Sequence, residues 1–121
     1  MGAGQSASSE GTMAAKQLIQ KAIASNPVYM ISSPWCPFCR KAKQALDEVG
    51  AAGKYTVQEL DQLTPDQGSA AEWKEAMRAL IGKSSVPQVF IAGEHIGGGD
   101  ETAAAKRSGQ LEAKLKAAGV I

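Results

Sequence analysis

Apolar positions along this chain switch repeatedly between a helical and a strand period. From Thr12 to Ser25, the residues Ala15, Leu18, Ile19, Ala22 and Ile23 fall on one helix face, with Thr12 as cap and Asn26-Pro27 as stop. Val28 to Ser32 (VYMIS) is a short apolar run of the kind a buried strand shows. After Pro34 and two cysteines, Arg40 to Val49 predicts a helix ended by Gly50, and Tyr55 to Leu60 alternates as a second strand. Thr64-Pro65-Asp66 is expected to open a third helix, striped by Trp73, Met77, Leu80 and Ile81 and ended by Gly82. A breaker follows at Ser84-Ser85. Gln88 to Ala92 and Glu94 to Ile96 flank Ala92-Gly93, a hairpin signal, and Gly97 to Gly99 lead through Asp100 into a last helical stretch that Gly109 divides. Alternating helices and strands with a closing hairpin predict a small α/β sandwich, its central mixed sheet covered on both faces.

The chain has 121 residues, enough for one core and too few for two domains. Met1 to Gly11 is small and polar with no apolar face, so residues 1–11 are expected to be a disordered tail and 12–121 the folded domain. Thirteen Lys+Arg stand against twelve Asp+Glu, a formal charge of +1, which supplies no field for gathering nucleic acid. No apolar run approaches the ~20 residues of a membrane span. Met1-Gly2-Ala3-Gly4-Gln5-Ser6 fits the myristoylation pattern M-G-x-x-x-[ST]. Because the tail lacks basic residues and cysteine, one acyl chain on Gly2 would hold a membrane only marginally. A cytoplasmic protein is the expectation, with a membrane as partner only through that lipid.

Cys36 and Cys39 are the only two cysteines, and a bond between them closes a loop too short to restrict the unfolded chain much. Two thiols and the single His95 fall short of a structural zinc set, so no metal is expected. The pair stands where a strand ends and a helix begins, in a helix–strand array without a second pair, which favours redox chemistry over zinc. Unpaired N–H groups and the positive helix end favour a thiolate at Cys36. Pro37 suits the first helical position. Cys39, on the same helix face, can attack a mixed disulfide carried on Cys36. Arg40, Lys41 and Lys43 further along are either helpers of the thiolate or plain solvated surface.

Three separated motifs, Cys36-Pro37-Phe38-Cys39, Ser85-Val86-Pro87 and Gly97-Gly98-Gly99-Asp100, resemble in order the active site, the Thr-Val-Pro segment and the Gly-Gly-x-Asp loop of a dithiol glutaredoxin. The resemblance runs from about Ala14 to the C-terminus and is nearest to plant and algal members. It implies a thioredoxin fold with a four-stranded mixed sheet flanked by helices. It also implies a glutathione-dependent thiol–disulfide oxidoreductase that reduces protein–glutathione mixed disulfides and small disulfides, recharged indirectly by glutathione reductase. Cys36 would be the nucleophile and Cys39 the resolving thiol. Glutathione, the cosubstrate, would lie along Phe38, Ser85, Val86, a cis Pro87, Gly98, Gly99, Asp100 and Glu101. The glycines are otherwise readable as a flexible turn.

Where dithiol relatives carry a lysine three residues before the reactive cysteine, this chain has Ser33. Lys74, at the position that resembles the family's carboxylate-binding glutamine, is the candidate replacement; a solvated lysine, paired along the helix with the neighbours of Arg78 or with the face of Glu75, is the alternative. Trp35 is either a packing residue or a lip of the substrate groove. Trp73 and Met77 are core, and His95 is assigned a structural, surface role. The rival readings are a glutathione-ligated [2Fe–2S] carrier, which Pro37 disfavours by resemblance, and a thioredoxin-type reductase. A colourless monomer is expected.

Overall fold

Helix α1 (Ser9–Ser25) starts earlier than the expected cap at Thr12, because Ser8 takes that role: its hydroxyl accepts the Gly11 amide at 2.9 Å. A computed structural model describes residues 7–121; the myristoylation pattern at Gly2 lies outside the described residues. The boundary expected after Gly11 therefore moves. Ser8 to Gly11 belong to the helix and its cap, and Ser8 donates both its amide (3.1 Å) and its hydroxyl (2.8 Å) to the Glu72 carboxylate.

Strand β1 (Val28–Ser32) is wholly buried and central. It pairs in parallel with β2 (Thr56–Glu59) and antiparallel with β3 (Gln88–Ile91), which pairs antiparallel with β4 (Glu94–Gly97). The order β2-β1-β3-β4 is the four-stranded mixed sheet of a thioredoxin-like fold. Helix α2 (Pro37–Leu46) continues into a widened turn, Asp47–Ala51, which bends away where Gly50 takes φ 100°. The third helix starts later than expected. Thr64-Pro65-Asp66 caps only a single 3₁₀ turn, Pro65–Gln67; Gly68 at φ 100° breaks the chain, and Ser69 caps α3 (Ala70–Ile81) anew. A second capping box was thus available in Ser69-x-x-Glu72, and it is the one the long helix uses. The last stretch divides at Gly109, as its glycine predicts, into α4 (Gly99–Ser108) and α5 (Gln110–Ala117).

Two cores sandwich the sheet. On one face Val28, Met30, Val89 and Ile91 meet Leu46 of α2 and Leu111 and Leu115 of α5. On the other, Tyr29, Ile31 and Phe90 meet Ile19 of α1 and Trp73 and Met77 of α3, both core as expected. Successive strand residues point to opposite faces, so one continuous apolar run in β1 feeds both cores. Burying β1 on both faces fixes its end, where the cysteine turn begins.

Candidate active site

Cys36 occupies the cap position of α2, extended at φ −98°, and its sulfur accepts the Cys39 amide at 3.3 Å. Pro37 stands at the first helical position, where the missing N–H costs nothing. The sulfur is therefore held against the positive end of the helix, an arrangement that stabilises negative charge there. Fifty residues along the chain, the Val86 carbonyl lies 3.6 Å from the same sulfur. The Val86-Pro87 peptide bond is cis, as the resemblance implied.

Cys39 is in a different environment. It is 1 % exposed and its sulfur accepts the Ser33 amide at 3.4 Å. Burial first, and the hydrogen bond to the Cys36 sulfur second, push its thiol above the ordinary range. The two thiols are thus divided: one half-exposed at the helix end, the other buried behind it and kept protonated.

Beside Cys36 a groove of about 280 Å³ runs between Phe38, the Ser85–Pro87 segment and the start of α4. It gathers Phe38, Ser85, Val86, Pro87, Gly98, Gly99, Asp100 and Glu101, every expected glutathione-contacting residue except Lys74. Close packing explains the glycines: a Cβ on Gly99 would lie 2.5 Å from the Phe38 carbonyl oxygen, and one on Gly97, at φ 126°, 2.8 Å from the Glu101 Cβ. The loop is a tight seat of α4 on α2, not a flexible turn. Two side chains there are engaged within the protein. Glu101 turns back to accept the Gly98 amide at 2.8 Å, and Asp100 holds Lys41 at 2.6 Å. Lys41 and Lys43, open at the sequence level between surface and thiolate roles, are both paired, the latter with Glu59 at 2.8 Å.

Lys74 lies apart, with Ser33, in a second cavity of about 540 Å³ bordered by Leu60, Thr64 and Gly68. Glu75, the helix neighbour of the solvated-lysine alternative, pairs instead with Arg78, which also donates to the Ser84 hydroxyl at 2.8 Å. Trp35 is 88 % exposed, which removes the packing alternative; with half-exposed Phe38 it is an exposed apolar residue next to Cys36 in the chain. Lys83 and Gln88 also line the groove and were missed. Lys83 was legible as a cation just ahead of Ser85-Val86-Pro87; Gln88 carried no signal beyond a polar residue opening an apolar strand. Among the described residues no cluster of His, Cys, Asp and Glu could hold a metal ion.

The family model for glutaredoxin matches residues 28–96, from the first residue of β1 to the middle of β4. The chain belongs to the glutaredoxin family. Members of this family are thiol oxidoreductases. A glutaredoxin of Ricinus communis is 43 % identical over 99 residues, covering 82 % of this chain and 91 % of that protein. Among solved structures, oxidized glutaredoxin 2 from Chlamydomonas reinhardtii superposes with a TM-score of 0.85 at 45 % identity, covering 92 % of this glutaredoxin and 99 % of that chain. A buckwheat glutaredoxin–glutathione complex superposes with a TM-score of 0.83 at 33 % identity, over 94 % of this chain and 98 % of that one. The algal and plant relatives agree with the direction of the sequence resemblance.

Proposed function

We propose that this glutaredoxin works through both thiols and reduces protein–glutathione mixed disulfides and small disulfides with glutathione as cosubstrate. One observation carries the reading: a half-exposed Cys36 sulfur at the start of α2, 3.6 Å from the Val86 carbonyl and beside the Phe38–Gly99 groove. A peptide-like disulfide laid along Val86 presents its sulfur to Cys36. The buckwheat relative seen with glutathione supports the choice of peptide.

In the monothiol branch the Cys36 thiolate attacks the glutathione sulfur of the mixed disulfide. The sulfur–sulfur bond breaks, the target leaves as a thiolate that takes a proton, and Cys36 carries glutathione. The thiolate of a second glutathione attacks that glutathione sulfur and releases glutathione disulfide and the Cys36 thiolate. In the dithiol branch the Cys36 thiolate attacks one sulfur of a disulfide in the protein target; that disulfide breaks, the other sulfur leaves as a thiolate that takes a proton, and Cys36 carries the target. Cys39 then loses its proton and attacks the Cys36 sulfur, expelling the target's second thiolate and leaving a Cys36–Cys39 disulfide for two glutathiones to reduce. Burial keeps Cys39 protonated and out of the first branch.

The glutathione would span the two cavities that flank Cys36. Its glutamyl end lies toward the start of α4 and Lys83, and its glycine carboxylate toward Lys74 and Ser33. The deciding assay supplies a glutathionylated peptide and glutathione and follows glutathione disulfide through glutathione reductase. Turnover is expected. Activity that needs thioredoxin reductase and ignores glutathione would reject the proposal.

A further inference from the structure

The imidazole of His95 meets a side chain that no step above uses. His95 lies on β4, and its Nε2 is 2.6 Å from the Oε1 of Gln88, the first residue of β3. Gln88 is 1 % exposed, so its polar atoms need protein partners. Its Nε2 donates to the Ser85 carbonyl at 3.0 Å and lies 3.4 Å from the Ser85 hydroxyl. A carbonyl oxygen can only accept, so the amino end of the Gln88 amide faces Ser85 and the oxygen end faces the ring. The ring contact is therefore a bond donated by His95 Nε2–H. Neutral His95 must be the Nε2–H tautomer, and the imidazolium keeps the same donor.

This chain of bonds runs from Ser85 on one rim of the groove, through Gln88, to His95 on the strand that leads into the other rim. Ser85 opens the segment that presents Val86 to Cys36, while His95 stands shortly before Gly98 at the start of α4. The backbone ladder between β3 and β4 is irregular at this end: Val89 pairs with Gly97 and Phe90 with His95, leaving Ile96 as an extra residue. The side-chain link thus spans the stretch where the ladder slips. The ring is held in place by Phe90, its centroid 5.1 Å away. Its half-buried setting also keeps it neutral near neutrality, burial and the nearby Lys83 charge lowering its pKa against an opposing pull from Glu101.

We propose that His95 is a positioning residue for glutathione-bearing substrates: through the buried Gln88 amide it holds the Ser85–Pro87 rim at a fixed distance from the rim formed by the start of α4. The inference rests on the glutathione-dependent reading above. Its effect belongs to binding, because His95 touches neither sulfur and supplies no proton to the exchange.

The test compares the full-length wild type with His95→Phe and His95→Gln on a glutathionylated peptide in glutathione. His95→Phe should raise KM for the peptide about fivefold, the equivalent of one neutral hydrogen bond of about 1 kcal/mol, with kcat within about twofold. His95→Gln, which can place an N–H where Nε2 stood, should recover most of the loss. A wild type that does not turn over overturns the glutathione reading and the inference with it. Wild-type turnover with an unchanged KM in folded His95→Phe, or with His95→Gln as impaired as His95→Phe, overturns the inference alone. Should His95→Phe fail to fold, ring nitrogen NMR of the wild type decides: the Nε2–H tautomer is required, with ring shifts that move when glutathione disulfide is added, and an Nδ1–H ring would end the proposal.

Discussion

The Cys36 sulfur and the Val86 carbonyl oxygen stand 3.6 Å apart although fifty residues of chain separate them. Their closeness follows from β1 and β3 lying side by side at the centre of the sheet, with Ile31 opposite Gln88. Each strand ends at one half of the site, so sheet register sets the distance between nucleophile and substrate rim.

The division between the two thiols predicts a split on mutation. Cys36→Ser should abolish every activity, whereas Cys39→Ser should keep or raise the release of glutathione from a mixed disulfide while losing reduction of protein disulfides. Parallel assays on a glutathionylated peptide and on a disulfide-bonded protein read this directly. Equal losses in both variants on the glutathionylated peptide would make resolution an obligatory step.

The Cys39 thiol, pushed up by burial, should resist alkylation. At neutral pH iodoacetamide should label Cys36 alone, and in Cys36→Ser the labelling of Cys39 should grow only as pH rises beyond the ordinary thiol range. Mass spectrometry of the labelled protein checks it. Stoichiometric modification of Cys39 at neutral pH would contradict the assignment.

Lys74 has no ion-pair partner among the described residues and shares its cavity with Ser33. Lys74→Ala should raise KM for the glutathionylated substrate roughly tenfold, about 1.4 kcal/mol. Ser33→Lys added to that variant should restore part of it, because it returns a cation beside the same cavity. An unchanged KM in a folded Lys74→Ala would leave the missing charge at position 33 without compensation.

Gly99→Ala should damage stability and activity together. The added Cβ would meet the Phe38 carbonyl oxygen at 2.5 Å, and backbone cannot swing aside as a side chain can. Separation of α4 from α2 should cost about 1–3 kcal/mol, measured by denaturant unfolding, with a fall in kcat/KM as the groove widens. Gly109→Ala, with nothing near its Cβ, meets only the strain of φ 85° and should leave KM unchanged.

Glu72 ties the start of α1 to the start of α3 by accepting from Ser8 and Ser69, and these bonds hold its carboxyl below the usual carboxylate range. A folded value lower than the unfolded one adds stability above the ordinary carboxylate range, and that contribution is lost as pH falls through the lowered folded value. Glu72→Gln should therefore lower Tm at neutral pH, and the gap to wild type should close in strong acid.

Much of this protein could be read from local pattern. The periodicity of α1, the apolar run of β1, the Ala92-Gly93 hairpin and the helix break at Gly109 depend on residues a few positions apart, and such short-range geometry is carried by sequence spacing. The same holds for Cys36 as a helix cap, since a strand followed by Pro37 in a helical sequence places it there. The misplaced start of the third helix was also local: Thr64 and Ser69 both begin capping boxes, and only Gly68, forced to φ 100°, shows which one opens the long helix.

What spacing could not supply was decided by packing across the sheet. The side-by-side placing of β1 and β3 brought Val86 to Cys36, and the packing of α3 on the sheet placed Lys74 in a different cavity from the rest of its expected site. The same packing set His95, a residue that reads as surface, against the buried Gln88, which in turn bonds Ser85. Partners in such contacts are chosen by which side chains the folded core leaves facing one another, whatever their separation along the chain.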